Sequence, residues 1–152
     1  MIAVGCDHGG FELKQEVLKH LEERGIEYKD YGCYSTDSID YSDVAKVVCD
    51  AVVAGEAERA FLICGTGIGM ALTADKVAGI RAAVIQTPEF SHLFREHNDG
   101  NVVCISGRFT PLETNKKIVD EFLTTEFGGG RHAGRVEKIM REDDPTFSGV
   151  ER

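Results

Sequence analysis

The sequence predicts a Rossmann-like α/β fold: a three-layer α/β/α sandwich with a five-stranded parallel sheet and a C-terminal helix. Three observations predict it. Short apolar segments rich in β-branched residues alternate with segments of helical period. Each connection between successive strands is long enough for the crossover that parallel pairing requires. The chain has 152 residues, the length of one ordinary domain that hides roughly 70% of its unfolded surface.

The elements follow in order. IAVGC, residues 2–6, is the first strand, and FELKQEVLKHLEERG is the helix after it. Its Leu13, Val17, Leu18 and Leu21 make one apolar stripe, and Gly25 suits a C-terminal cap. EYKDYG is a weaker second strand, followed by the polar loop CYSTDSIDYSD. The next helix repeats Val44, Val47, Val48, Ala51 and Val52 at helical spacing. RAFLIC (59–64), RAAVIQ (81–86) and NVVCISG (101–107) read as buried strands, being short and continuously apolar. Helices are expected near 67–78, 88–97 and 111–126, and a last one near 131–142 carries Val136, Ile139 and Met140. Residues 1–142 form one expected domain, and DDPTFSGVER, 143–152, reads as a loose tail.

Composition narrows the function. The formal charge of −9 repels nucleic-acid backbones, so an anionic ligand has to be held by a local cluster of cations. No apolar run approaches the roughly 20 residues of a membrane helix, and MIAVGCDHGG has neither a basic leader nor a small-residue cleavage site. The expectation is a cytoplasmic protein with no membrane and no nucleic-acid partner. Five cysteines, an odd number without a C-x-x-C pair, suggest neither a disulfide framework nor a zinc ribbon.

In parallel α/β sheets, ligands bind beyond the carboxyl ends of the strands. Cys6, Asp7 and His8 follow the first strand, the 35–41 loop with Tyr41 follows the second, and Cys64, Gly65, Thr66, Gly67, Ile68 and Gly69 follow the third. All belong to one rim. The glycine turn LICGTGIGM is not a dinucleotide fingerprint, because Met70 stands at the third glycine position. It lacks the lysine of a phosphate-binding P-loop and the arginine of a C-x5-R phosphatase. What remains is a thiol at a strand end, followed by uncovered N–H groups at a helix start, a place that favours negative charge. Cys64 is either a base beside an oxyanion nest or a small buried core residue. Cys49 and Cys104 read as core. Arg131, Arg135, Lys138 and Arg141 stand against Glu137 alone, and Arg131 and Arg135 share a helix face that matches a phosphate. The other reading is a solvated basic face. His97 continues the spacing of Phe90, Leu93 and Phe94, and is either a core histidine or a proton donor at a helix end beside Asn98.

The segments GCDHGGFELK, DYGCYSTDSIDYSDVA, LICGTGIGM, AGIRAA, REHNDGNVV and GGGRHAGRV occur in an order that resembles the ribose-5-phosphate isomerase B family, grouped with the galactose-6-phosphate and allose-6-phosphate isomerases. The resemblance covers about residues 1–142. It implies interconversion of ribose 5-phosphate and ribulose 5-phosphate, a small sugar phosphate, with no metal and no cofactor. It also implies a homo-oligomer, dimer or tetramer, whose active sites are shared between subunits. By that resemblance Cys64 is the base and His97 assists ring opening. Gly65, Thr66, Gly67, Ile68 and Gly69 stabilise the enediolate. Asp7, His8, Tyr41 and Asn98 contact the sugar, and Arg108, Arg131 and Arg135 hold the phosphate. ALTADK replaces a common SIAANK after the turn and adds Asp75, while IQTPEF and GRFTP also depart from the common forms. The GGRH segment favours a pentose phosphate. The alternatives are a hexose 6-phosphate isomerase on the same site and a non-enzymatic sugar-phosphate-binding domain.

Overall fold

The computed structural model describes residues 1–148. Five parallel strands, β1 (Ile2–Cys6), β2 (Tyr28–Asp30), β3 (Arg59–Cys64), β4 (Ala82–Val84) and β5 (Val102–Ser106), lie in the order β2-β1-β3-β5-β4. Six α-helices connect and follow them: α1 (Phe11–Glu23), α2 (Tyr41–Val53), α3 (Ile68–Ala74), α4 (Pro88–Asn98), α5 (Leu112–Thr124) and α6 (Arg131–Arg141). A single 3₁₀ turn, His8–Gly10, joins β1 to α1.

The pleat of the central strands divides the core. Along β3, Phe61 and Ile63 face α1, α4 and α5, where they meet Leu13, Val17, Phe94 and Phe122. Ala60, Leu62 and Cys64 face α2 and α3, where they meet Val44, Val48 and Met70. Both faces of β3 are buried, so its sequence reads as one apolar run rather than an alternation.

Four expectations need correction. β4 is a half-buried strand of three residues rather than a buried one, because it is the last strand of the sheet and only β5 pairs with it. α3 stops at Ala74 instead of near 78, and the chain turns back through Gly79 at φ +91°. Val47 is 52% exposed, because α2 turns Val44, Val48 and Ala51 inward and Val47 falls beside that face. α4 is rotated in the same sense. Phe90 is 63% exposed, while the buried positions are Ser91, Phe94 and Arg95. Ser91 donates to the Ile118 carbonyl and Arg95 to the Thr125 and Gly100 carbonyls, so polar contacts set how α4 lies on α5.

Lys14 is fully buried in α1. Its ammonium donates to both Asp30 carboxylate oxygens, at 2.7 and 2.9 Å, and to the Cys33 carbonyl. This ties the helix to the end of β2 and to the loop beyond it. After α6, Asp143 accepts a 2.7 Å hydrogen bond from Gly79 N, while residues 149–152 of the expected tail lie outside the described residues.

Candidate active site

The loops leaving β1, β3 and β5 meet at the carboxyl end of the sheet. Asp7, 7% exposed, accepts from Gly9 N at 2.9 Å and so caps the turn into α1. His8 Nδ1 accepts from Ile39 N at 3.2 Å, which pins the 35–41 loop against β1. In its neutral form this ring then carries its proton on Nε2.

Cys64 ends β3, with its sulfur 3.1 Å from Gly67 N, which donates to it. That contact depends on Gly67 at φ +84°, a left-handed conformation that side chains other than glycine resist. A Cβ at Gly69 would lie 2.5 Å from the Tyr41 ring, so the phenol covers this glycine directly. Arg108 lies between two loops: its guanidinium is 3.2 Å from where a Cβ would stand on Gly9, and 3.2 Å from that of Gly65. Thr66 Oγ1 accepts from Ile68 N at 3.1 Å and helps to start α3. Around these atoms is an open pocket of about 420 Å³, lined by Asp7, Tyr41, Cys64, Thr66, Ile68 and Arg108 together with Gly65 and Gly69. A larger hollow of about 510 Å³ between α1 and α5 carries Glu12 and Glu16 and no cation, so it disfavours an anion.

The remaining predicted residues are elsewhere. α4 leads into the amino end of β5, so His97 and Asn98 stand at the opposite end of the strands from Cys64. His97 is not a core residue. Its side chain is 37% exposed, and its ring stacks on His132 with centroids 4.3 Å apart and planes at 18°. Desolvation first, and then the neighbouring His97, Arg131 and Arg135, hold the His132 imidazole below its ordinary range. The two arginines thus face the histidine pair from the exposed first turns of α6. Asn98 lines a separate hollow with Arg81, Met140 and Asp143.

One described chain therefore brings together Asp7, His8, Tyr41, Cys64, Gly65, Thr66, Gly67, Ile68, Gly69 and Arg108, and groups His97 and Asn98 with Arg131 and Arg135 at the other end. Asp75 belongs to neither group. It accepts from Ala82 N at 2.8 Å, ordering the entry to β4, and burial raises its carboxyl above the usual range. Burial pushes the Cys6 and Cys49 thiols up to about 12 and Cys104 well up, as suits core thiols.

Sequence reasoning passed over Ser106, Asn115 and His132. His132 had a signal, standing between two arginines in GRHAGR. Ser106 and Asn115 had none, because their importance lies in contacts across the chain: Asn115 Nδ2 donates to Ser106 O at 3.0 Å.

A profile of the Ribose/Galactose Isomerase family matches residues 2–139. Ribose-5-phosphate isomerase B of Escherichia coli is 49% identical over 138 residues, covering 91% of this chain and 93% of that protein. The solved ribose-5-phosphate isomerase B of Clostridium thermocellum superposes with a TM-score of 0.92 at 44% identity, covering 93% of this chain and 96% of that one. That of Mycoplasma genitalium, solved with bound ribulose-5-phosphate, gives 0.91 at 39% identity, over 95% and 97% of the two chains. With this fold, this glycine turn and these likenesses over nearly its whole length, the chain belongs to the ribose/galactose isomerase family.

Proposed function

We propose that this chain interconverts ribose 5-phosphate and ribulose 5-phosphate, with Cys64 as the base. The observation that carries the reading is the Cys64 sulfur, held by Gly67 N–H in a pocket that also presents Asp7, Thr66 and Arg108. Cys64 removes the proton from carbon 2 of the open-chain aldose. The electron pair moves through the new C1–C2 double bond onto the carbonyl oxygen, giving an enediolate. A proton passes from the hydroxyl on carbon 2 to the oxygen on carbon 1, and Cys64 returns its proton to carbon 1 as the oxygen on carbon 2 becomes the carbonyl. A carbon acid this weak reacts only if the developing oxyanion is stabilised, and preorganised N–H donors contribute several kcal/mol to that. In the turn at residues 65–69 the Gly67 N–H already holds the Cys64 sulfur and the Ile68 N–H the Thr66 hydroxyl, and the Thr66 N–H is the donor at hand. Arg131 and Arg135 bind the phosphate, and His97 moves the proton that opens the sugar ring.

This chemistry needs a second copy of the chain. Cys64 and the His97–arginine group stand at opposite ends of one sheet, so a site holding both takes one from each of two subunits. Around the Cys64 pocket Ile68 (53% exposed), Leu72 (65%) and Phe109 (75%) offer the apolar surface for such a contact. All five cysteines are free thiols, which supports a reducing, cytoplasmic setting.

The test is turnover of ribose, allose and galactose phosphates by the purified protein, where ribose 5-phosphate is expected to be preferred. No isomerisation of any of them, with binding retained, would leave a sugar-phosphate-binding domain. Subunit mixing tests the shared site. Cys64→Ala and Arg131→Ala/Arg135→Ala chains, exchanged one to one and assayed with ribose 5-phosphate well below the KM of the arginine variant, should regain about a quarter of full activity through mixed dimers. A fully active monomer in light scattering defeats the assembly.

A further inference from the structure

The residue after Ile105 closes β5 without entering the pocket. Ser106 is 2% exposed, and its hydroxyl donates to the Gly65 carbonyl at 2.6 Å while accepting from Phe109 N at 2.9 Å. The Gly65 carbonyl also accepts from Arg108 N at 3.1 Å, and the preceding carbonyl, of Cys64, accepts from Gly107 N at 2.9 Å. Asn115, itself fully buried, donates to Ser106 O at 3.0 Å and holds this strand end from behind.

A trans peptide is planar, and its C=O and N–H point in opposite directions. Fixing the Gly65 carbonyl toward β5 therefore fixes the Thr66 N–H away from β5. By the same geometry Gly107 N, through the Cys64 carbonyl, turns the Gly65 N–H toward Gly9, where a Cβ would stand 3.2 Å from that nitrogen. Two consecutive N–H groups of the glycine turn thus have their directions set by the β5–α5 loop.

We infer that Ser106 is a positioning residue for the isomerase reaction: its hydroxyl orients the peptide between Gly65 and Thr66 so that the Thr66 N–H serves the enediolate, and it fixes the loop that carries Arg108. The inference rests on the isomerase reading above. Misplacing a catalytic donor by about 1 Å costs on the order of a hundredfold, while the ground-state sugar phosphate gains little from this N–H. The loss therefore belongs to kcat rather than to KM.

The test compares Ser106→Ala with Ser106→Thr, which keeps the hydroxyl. In Ser106→Ala, kcat should fall about tenfold to a hundredfold with KM within about twofold and the fold intact, and Ser106→Thr should recover much of it. In NMR spectra without substrate, the Thr66 amide should shift and exchange its hydrogen faster in Ser106→Ala. An unchanged kcat and an unchanged Thr66 amide in Ser106→Ala overturn the inference, as does a loss of activity that only follows the folded fraction. If the unaltered chain fails to isomerise ribose 5-phosphate, the parent reading falls and the catalytic role of Ser106 falls with it. If it isomerises and Ser106→Ala does so equally well, only the role of Ser106 falls.

Discussion

The two ends of the sheet are built differently. At the carboxyl end, Cys64 is 5% exposed and its carbonyl, its sulfur and the next carbonyl are each held by a donor from a neighbouring loop or turn. At the amino end, His97 is held by ring stacking on His132, and Arg131 and Arg135 stand exposed on the first turns of α6. On the proposed function, the difference separates two tasks. Moving a proton between adjacent carbons needs donors fixed before the substrate arrives, and a rigid strand end supplies them. Gripping a phosphate tolerates longer, hydrated side chains whose geometry is completed on contact.

The largest expected effect tests the rigid end. Cys64→Ala should lower turnover by about a hundredfold to ten-thousandfold and abolish deuterium exchange at carbon 2 in heavy water. Isothermal titration should show ribose 5-phosphate still bound. If exchange persisted at the unaltered rate, the proton-moving task would belong to another group and the division between the ends would fail.

The open end should behave in the converse way. Arg131→Ala/Arg135→Ala should weaken binding of substrate and of inorganic phosphate by about a hundredfold, with the circular dichroism spectrum unchanged. Substrate affinity equal to that of the unaltered protein would remove the phosphate from α6. A smaller effect is expected at His97, which sharpens the comparison because in the proposed reaction proton delivery there precedes the step at carbon 2. His97→Asn should fold normally and turn over the cyclic sugar more slowly, by no more than about a hundredfold, the low end of what a positioned acid contributes. A large fall in melting temperature with activity in proportion to folded protein would make His97 structural instead.

The smallest effect concerns two buried core thiols. Burial raises Cys6 and Cys49 from an ordinary value near 9 to about 12 in the folded chain. Between those values the unfolded chain has lost protons that the folded one keeps, so stability present below pH 9 is lost as pH rises toward 12. Urea midpoints should decline over that window, and Cys49→Ala should flatten the decline. An identical slope in that variant would place its origin elsewhere.

Most of the carboxyl end was legible in the sequence. Apolar runs located β1 and β3, and parallel topology puts whatever follows them on one rim, which is why Asp7 and Cys64 were found together. The amino end was legible as residues but not as a place. Spacing identified the pair Arg131 and Arg135, yet which end of the sheet α6 occupies depends on how it packs on α4, a contact far apart in the chain. The stripe of Phe90, Leu93 and His97 misled because periodicity shows that a face is apolar and not what covers it. Ser106 escaped notice because a lone serine at a strand end has no pattern. Its meaning comes from Gly65, a partner forty-one positions away.

The lysine beneath the second strand bears on how the chain assembles. A buried ammonium without its carboxylate is costly, so α1 cannot close on the sheet while Asp30 is still in water. Docking the first helix and adding the second strand to β1 are thereby made one cooperative event. Amide hydrogens of α1 and β2 should share a single opening free energy, and a cut in the short segment between them should unfasten both together.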